Sequence, residues 1–358
     1  MKFLKSIKPI YYLLLGLPLA ILFDYGLHNP ILSFVAACVG LIPLASLIGE
    51  ATEVMASVTG PKIGGLLNAT LGNAAELIIT IVAINAGLLE LVKASITGSI
   101  IGNLLLVMGA SLLLGGLKNG TQKFDRAHVG TNATMLVLAV VALCVPSLLN
   151  HTLEGEELPV AVMESMSLGV AVVMIMLYAL GLYFTLRTPH SPLAHAGGAE
   201  SEAPHWSMQT AAGVLAFATL ATVVLSEILV GSVEAVTASF GLSEFFIGII
   251  LVPLIGNVAE HLVAVQVAMK NQMDLSLEIA LGSSLQIALF VAPVLAFVAL
   301  LFGQQLTLVF NQFELVALIA AVLTTALVAA DGETNWLEGA QLIGVYLMLG
   351  LAFFFLPA

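Results

Sequence analysis

The sequence predicts an all-α polytopic membrane protein with about 11 transmembrane helices: one N-terminal helix followed by two inverted five-helix repeats. Three observations predict this. First, 60% of the 358 residues are hydrophobic and only 9% charged, with a mean hydropathy of +1.09, whereas soluble domains carry roughly a quarter charged residues. Second, eleven apolar stretches are long enough to cross a bilayer, which takes about 20 residues. Third, a shift of 184 residues lays Gly72-Asn73-Ala74-Ala75-Glu76 on Gly256-Asn257-Val258-Ala259-Glu260, Glu50 on Glu234, Gly98 on Gly282 and Ser99 on Ser283. Matching Ala and Leu would prove little in so apolar a chain. Matching Glu, Asn, Glu and Ser in order without a gap marks an internal duplication.

The stretches run at 10–27, 31–58, 63–86, 94–117, 127–149, 160–186, 208–231, 234–269, 277–302, 312–330 and 336–357. The N-terminal one lacks the small-residue cleavage site of a secretory signal and reads as a retained helix. The 234–269 stretch is too long for one span. Gly241-Leu242-Ser243-Glu244 predicts a turn, with the seventh helix ending near Phe240 and the eighth starting near Phe245. Residues 1–30 then hold the first helix, 31–187 the first repeat, 188–206 a linker and 207–358 the second repeat. The linker, Thr188 to Trp206, is rich in Pro, Gly and Ser, the composition of a flexible connector. It carries His190, His195, His205, Glu200 and Glu202, a loose metal-binding set or simply solvated linker residues. Five spans per repeat invert the second repeat relative to the first, a recurring transporter plan with the site at midplane between the halves. A weaker shift of 186 sets Phe124 on Phe310, Asp125 on Asn311 and His128 on Glu314.

Net charge is −12, but placement of Lys and Arg decides orientation. With the N-terminus inside, Lys2, Lys5, Lys8, Lys62, Lys118, Lys123, Arg126, Arg187 and Lys270 fall on the cytoplasmic side and only Lys93 falls outside. The linker is then cytoplasmic and the C-terminus outside. Asp24, Glu90, Glu154, Glu156, Glu157 and Glu244 face outward, as solvated loop acids or as a cation-attracting mouth. Cys38 and Cys144 sit in apolar runs and read as buried thiols.

Two carboxylates within apolar helices are the centre of the reading. Insertion scales put a charge at the helix centre at roughly 2.5–3.5 kcal/mol, so such residues mark ion pathways. Asn73 and Glu76 are three apart and share a helix face; Asn257, Glu260 and His261 cluster likewise. Oxygen donors from Glu and Asn, with backbone carbonyls and water, suit a hard divalent cation. Gly64, Gly65, Gly72, Gly248 and Gly256, with Pro253, permit the helix opening that supplies carbonyls. A single motif is equally well explained as polar packing between helices; its repetition favours a site. Ser99 and Ser283, on Gly-Ser steps, and Gln286, with Asn103 nearby, are candidate neutral oxygens, or small residues at helix crossings. Glu50 and Glu234 are candidate proton-holding or transient cation sites. Glu53 and Glu227 read as interfacial acids. His261 suits a proton-linked role because imidazole titrates near pH 6.5, or is a packed neutral residue. No zinc-protease, Walker A or nucleophile-elbow sequence occurs, which argues against an enzyme and against ATP drive.

Gly72-Asn73-Ala74-Ala75-Glu76-Leu77-Ile78 and Gly256-Asn257-Val258-Ala259-Glu260-His261 resemble the paired signatures of the cation/proton exchanger (CAX) branch of the calcium/cation antiporter superfamily. Gly98-Ser99-Ile100-Ile101-Gly102-Asn103 and Gly282-Ser283-Ser284-Leu285-Gln286-Ile287 resemble its later-helix segments. The likeness runs from Leu41 onward. It implies Ca²⁺/H⁺ antiport in a multi-pass cell (inner or plasma) membrane protein, with Glu76 and Glu260 as central ligands and no cofactor. The implied partners are the lipid bilayer, a divalent cation and protons, and no nucleic acid; oligomeric state is left open. Two departures stand out. Of the acidic helix often found between the halves only Glu200 and Glu202 remain, and the regulatory extension of vacuolar members does not precede the first helix. Both point to a prokaryotic plasma-membrane form. A Na⁺/Ca²⁺ exchanger of the same superfamily and a passive cation channel stay open as rivals. An intramembrane hydrolase is disfavoured by the missing catalytic triplet.

Overall fold

A computed structural model describes residues 9–152, 159–187 and 206–356. The linker residues 188–205, the loop acids Glu154, Glu156 and Glu157, and Lys2, Lys5 and Lys8 lie outside the described residues. The chain runs α1 (Pro9–Gly26), α2 (Pro30–Thr59), α3 (Pro61–Leu71), α4 (Ala74–Asn85), α5 (Leu89–Asn119), α6 (Arg126–Thr152) and α7 (Val160–Arg187). It continues with α8 (Met208–Phe240), α9 (Glu244–Gly256), α10 (Val258–Met269), α11 (Met273–Leu301), α12 (Gln312–Val328) and α13 (Trp336–Phe355). Among the described residues, eight helices are long and apolar enough to cross a membrane, nine if the bent pair α9–α10 is one span. Every apolar stretch of the sequence falls on these helices.

Local chemistry explains the ends. Asn29 caps α2 by accepting from Leu32 N at 3.1 Å, with Pro30 in the first turn, where its missing N–H costs nothing. Gly60 ends α2 at φ +83°, and Pro61 opens α3. The turn anticipated at 241–244 is present: Gly241 takes φ +65°, and Ser243 caps α9 by accepting from Phe246 N at 3.1 Å. Helices α5 and α11 begin earlier than the apolar runs suggest, at Leu89 and Met273. Their first turns carry Glu90 and Asp274, acids favoured at a helix N-terminus. Lys93, placed by hydropathy in a loop, therefore lies inside α5 and pairs with Glu90 at 2.5 Å.

The stretch 63–86, expected as one opened helix, is two helices. Between α3 and α4 the chain breaks at Gly72–Asn73, where Asn73 leaves helical geometry (φ −99°, ψ 26°). Its counterpart breaks at Asn257 (φ −110°, ψ 9°), bending α9 against α10 by 60°. Helices α2 and α8 pack along each other, and α1 lies against α2: a Cβ on Gly40 would meet Leu225 Cδ1 at 2.7 Å, and one on Gly16 would meet Gly40 N at 2.5 Å. Small residues allow such backbone approach between apolar helices.

Side-chain contacts sort the connecting segments onto two faces. On one, strand β1 (Gln122–Lys123) pairs antiparallel with β2 (Glu333–Thr334), Lys123 meets Glu333 at 3.0 Å, and Gln122 Nε2 donates to Ala268 O at 3.0 Å and Asn271 Oδ1 at 2.9 Å. On the other, Leu308 N donates to Ser167 Oγ at 2.9 Å, Phe310 N to Ser147 Oγ at 2.8 Å, and Gln305 Nε2 to Glu164 at 3.1 Å. The segments following α5, α10 and α12 thus share one face. The start of α7 shares the opposite face with the segment between α11 and α12.

Candidate cation site at the broken helices

Both breaks place a helix N-terminus and the end of another helix next to each other. Helices α4 and α10 start at the breaks, with Glu76 and Glu260 in their first turns. Helices α3 and α9 end there, and the last carbonyls of a helix lack intrahelical partners. Such ends supply oxygens to a cation where irregular backbone lines a cavity.

The two breaks face each other. A Cβ on Gly256 would lie 3.6 Å from Glu76 Cβ, and one on Gly72 would lie 3.7 Å from Glu260 Oε1. The glycine of each motif therefore stands against the glutamate of the other. The asparagines cross in the same way. Asn257 Nδ2 donates to Glu76 Oε2 at 3.3 Å and to Ser99 Oγ at 3.4 Å. In the other direction Ser283 Oγ donates to Asn73 Oδ1 at 3.1 Å, and Asn73 Nδ2 donates to Gln286 Oε1 at 2.6 Å. Asn103 Nδ2 donates to Ser283 Oγ at 3.0 Å, and Gln286 Nε2 to Asn68 O at 3.5 Å. Each Asn thus bonds the Ser of the other repeat.

The two acids differ in their surroundings. Glu76 is fully buried. Ser99 Oγ donates to its Oε1, with Ser95 Oγ at 3.5 Å from the same atom. Glu260 is half-buried, and its Oε2 is a buried oxygen with no hydrogen-bond partner. A buried carboxylate oxygen left unpartnered is costly. The Glu260 carboxylate feels the charge of Glu76, and its Oε1 stands beside Gln286 Oε1 and the Asn68 carbonyl around Gly72. That is an oxygen-rich donor set with two formal charges, matching what a hard divalent cation requires. Among the described residues no group of three or more His, Cys, Asp and Glu could hold a metal, so a cation held here would need neutral oxygens for most of its shell.

Asn73, Glu76, Ser99, Asn257, Glu260, Ser283 and Gln286 are thus brought together. Glu50 and Glu234 are placed differently. Glu50 is half-buried and accepts from Tyr11 Oη at 2.6 Å, while Glu234 is exposed on α8. His261 is half-buried, and among the described residues its ring makes no hydrogen bond. Sequence reasoning missed Ser95, although its position four residues before Ser99 on a helix was a usable signal. It missed Asn68 and Tyr178, both of which interact with Gln286, and gave Glu314 little weight. Glu314 is buried, closes the capping box of α12 with Asn311, and accepts from Thr97 Oγ1 of α5 at 3.0 Å.

Short π-helical segments flank the site. Gly102–Val107 follows Ser99 in α5, and Ile287–Val291 follows Gln286 in α11. The 184-residue shift relates these two segments. Each widens its helix and turns the preceding polar face, a feature common near functional sites.

Known proteins share this sequence and shape. The profile of the family described as "Sodium/calcium exchanger protein" matches residues 29–187 and 210–355. A "Ca(2+)/H(+) antiporter" of Aphanothece halophytica is 45% identical, covering 96% of each chain. "Ca(2+)/H(+) antiporter ChaA" of Bacillus subtilis (strain 168) is 43% identical, over 97% of this chain and 99% of that one. The solved structure titled "Structure of native YfkE" superposes with a TM-score of 0.85 at 39% identity, covering 98% of this chain and all of that one (100%).

Proposed function

Because the chain belongs to the sodium/calcium exchanger protein family, we propose that it is a Ca²⁺/H⁺ antiporter that exports cytosolic Ca²⁺ in exchange for entering protons by alternating access. The observation that carries this reading is the Glu260 carboxylate, with an unpartnered buried oxygen, turned toward Gly72 and the buried Glu76 of the opposed motif. The relatives named as Ca²⁺/H⁺ antiporters support the choice of ions. The protein transports and catalyses no bond-breaking reaction.

Coupling follows from charge. With Ca²⁺ bound, the two carboxylates offset its double charge. When Ca²⁺ leaves, both take up protons, because two bare carboxylates inside the membrane cost about 5 kcal/mol or more together. A bias of roughly 5.5 kcal/mol shifts a two-state equilibrium about 10⁴-fold. The protein therefore switches sides only when the site is neutralised by cation or by protons, and that restriction links the two fluxes.

The span layout is eleven, counting α3–α4 and α9–α10 as one broken span each and α12 as a short one. Residues 31–187 and 207–358 are the inverted repeats. The face shared by the segments after α5, α10 and α12 supports this parity. That face carries Lys118, Lys123, Arg126 and Lys270, so we assign it to the cytoplasm of a cell-membrane protein. Helices α2 and α8, which pack along each other, are the sliding elements. The 188–206 linker is cytoplasmic and dispensable for transport. Cysteines introduced at Ala199 or Ser201 are expected to resist an impermeant thiol reagent applied from outside, and labelling from outside would overturn the topology.

The direct test is Ca²⁺ uptake into inverted membrane vesicles with and without an imposed pH gradient, acid inside. Uptake that needs the pH gradient is expected. Uptake driven by a Na⁺ gradient instead would convert the assignment to Na⁺/Ca²⁺ exchange. The sequence contrast favouring protons is that the α11 segment offers Ser283, Ser284 and Gln286 and no further acid. Non-saturating flux without counter-transport would indicate a channel.

A further inference from the structure

The closest approach between helices of the two repeats that glycine permits is made by one glycine pair, and its repeat-related pair makes none. On α5, a Cβ at Gly98 would collide with the Ile249 carbonyl of α9, and one on Gly248 would lie 2.7 Å from Leu91 O and 2.8 Å from Ala94 Cβ. Helix α5 of the first repeat thus lies backbone to backbone on α9 of the second, through a glycine on each. The 184-residue shift takes Gly98 to Gly282, Gly248 to Gly64, Leu91 to Leu275 and Ile249 to Gly65. The glycines are retained, but the contact is absent. A Cβ on Gly282 would meet no neighbouring atom within 4 Å, and Gly64 faces Ala56 O of α2 at 2.5 Å. The π-helical geometry differs in the same sense: Ile247–Leu251 is π-helical, whereas its counterpart lies in the regular α-helix α3.

Nothing in the present arrangement requires glycine at 282. The position is half-buried, yet a Cβ added there meets open space. In the mate position a side chain is excluded by backbone. Related sequences folded in inverted orientation can exchange conformations, and a bistable protein stores in one half the contact that the other half makes. We propose that Gly282 is a positioning residue for the oppositely open state, in which α3 swings onto α11 so that Gly282 meets the Gly65 backbone and Gly64 leaves Ala56 to meet Leu275, while the Gly98–Ile249 contact opens. In that state α3 covers the cytoplasmic approach to the site, as α9 now covers the opposite one. This rests on the alternating-access reading above.

The test compares Gly282→Leu with the parent and with Gly213→Leu in proteoliposomes. Gly213 on α8 is exposed, also has open space, and has Asn29 as its counterpart. Gly282→Leu is expected to keep the parent's thermal unfolding midpoint and equilibrium Ca²⁺ binding but to lose at least tenfold in maximal exchange rate. Gly213→Leu should exchange as the parent does. In a background lacking Cys38 and Cys144, Gly65→Cys with Gly282→Cys should be joined during turnover by a short bis-maleimide, which adds one cysteine thiol at each end as a thioether, and the join should stop transport. Parental exchange by Gly282→Leu, or no cross-link under any ion gradient, would overturn the inference. If Gly282→Leu fails to fold, the cross-link alone decides. Absence of exchange in the parent would instead overturn the transport reading.

Discussion

Gly-Asn-x-x-Glu occurs twice in this chain, and the two copies are not in the same condition. Glu76 is closed in by Ser95, Ser99 and Asn257, and the helix that carries it is mostly buried. Glu260 is half-buried with an oxygen to spare, and α10 beyond it buries only Ala264 and Ala268. Helices α3 and α10, which run from the breaks toward the lysine-bearing face, expose Ile63, Leu66, Leu262 and Val263. Helices α4 and α9, which run the other way, bury Ile79, Ile84, Ile247, Ile249 and Val252. Nothing in the motifs themselves demands this difference. Near-identical motifs in unlike surroundings are what the proposed alternating access calls for, with the asymmetry belonging to one state and the symmetry to the chain.

The strongest test of that comparison removes the charges. Glu76→Gln and Glu260→Gln keep size and hydrogen-bonding capacity, so both should fold. Each leaves one charge to balance a divalent ion, and loss of a buried charge partner costs about 3–5 kcal/mol. Exchange measured by pH-sensitive dye in vesicles should fall at least about 100-fold in either variant by that scale. Equal losses show that the two acids serve one cation despite their different surroundings. Normal exchange in either variant breaks the central claim. In the parent, protons and Ca²⁺ compete for the same oxygens, so Ca²⁺ affinity should fall as pH is lowered, and the remaining dependence should be shallower in each variant.

A smaller effect separates the neutral donors. Ser99 donates to the Glu76 carboxylate, whereas the single Ser283 hydroxyl proton is shared between the neutral Asn73 Oδ1 and the Glu260 carboxylate, with Asn103 donating to the Ser283 oxygen. Hydrogen bonds to charged groups are worth about 1.5–3 kcal/mol and neutral ones about 1 kcal/mol. Ser99→Ala should therefore weaken Ca²⁺-driven exchange about tenfold or more, and Ser283→Ala about fivefold, on that scale. If the order reverses in apparent Ca²⁺ affinity, the present bonding pattern is not the one that binds the ion.

Most of the site was legible because burying Glu, Asn and Ser in apolar helices leaves a strong signal, and the duplication supplied its own control. A site between the halves followed from inversion, but the pairing of Asn73 with Ser283 and of Asn257 with Ser99 came only with the structure. The helix breaks at Asn73 and Asn257 were foreshadowed by glycine, but their completeness was not, since propensity measures local cost alone. The π-helical segments at Gly102–Val107 and Ile287–Val291 were not legible. An i→i+5 turn has no hydropathy period of its own and is imposed by packing. Glu314 was underweighted for another reason. Its counterpart is His128, which pairs with Glu278 on α11, so each repeat ties its fourth helix to the other repeat's third with different residue types. Across the chain Thr97 of α5 meets Glu314 of α12, and His128 of α6 meets Glu278 of α11. A shift search for identical residues passes over such a relation.

The smallest expected effect concerns the one residue by which the motifs differ chemically. Where the first copy has Leu77, the second has His261 beside Glu260, and imidazole, which in water titrates near pH 6.5, invites a relay role. A relay needs a hydrogen-bonded path to the carboxylate, directly or through one water. Consecutive helical residues point about 100° apart, and the His261 ring makes no hydrogen bond among the described residues. His261→Leu should therefore scale exchange by one factor at every pH between about 5.5 and 7.5, leaving the profile parallel to the parent's across the range where imidazole titrates. Its Ca²⁺ affinity at high pH should change little, because neutral imidazole is a poor ligand for a hard cation. A profile that flattens in the variant would show that the second motif handles protons in a way the first does not. The two copies would then differ in chemistry as well as in surroundings.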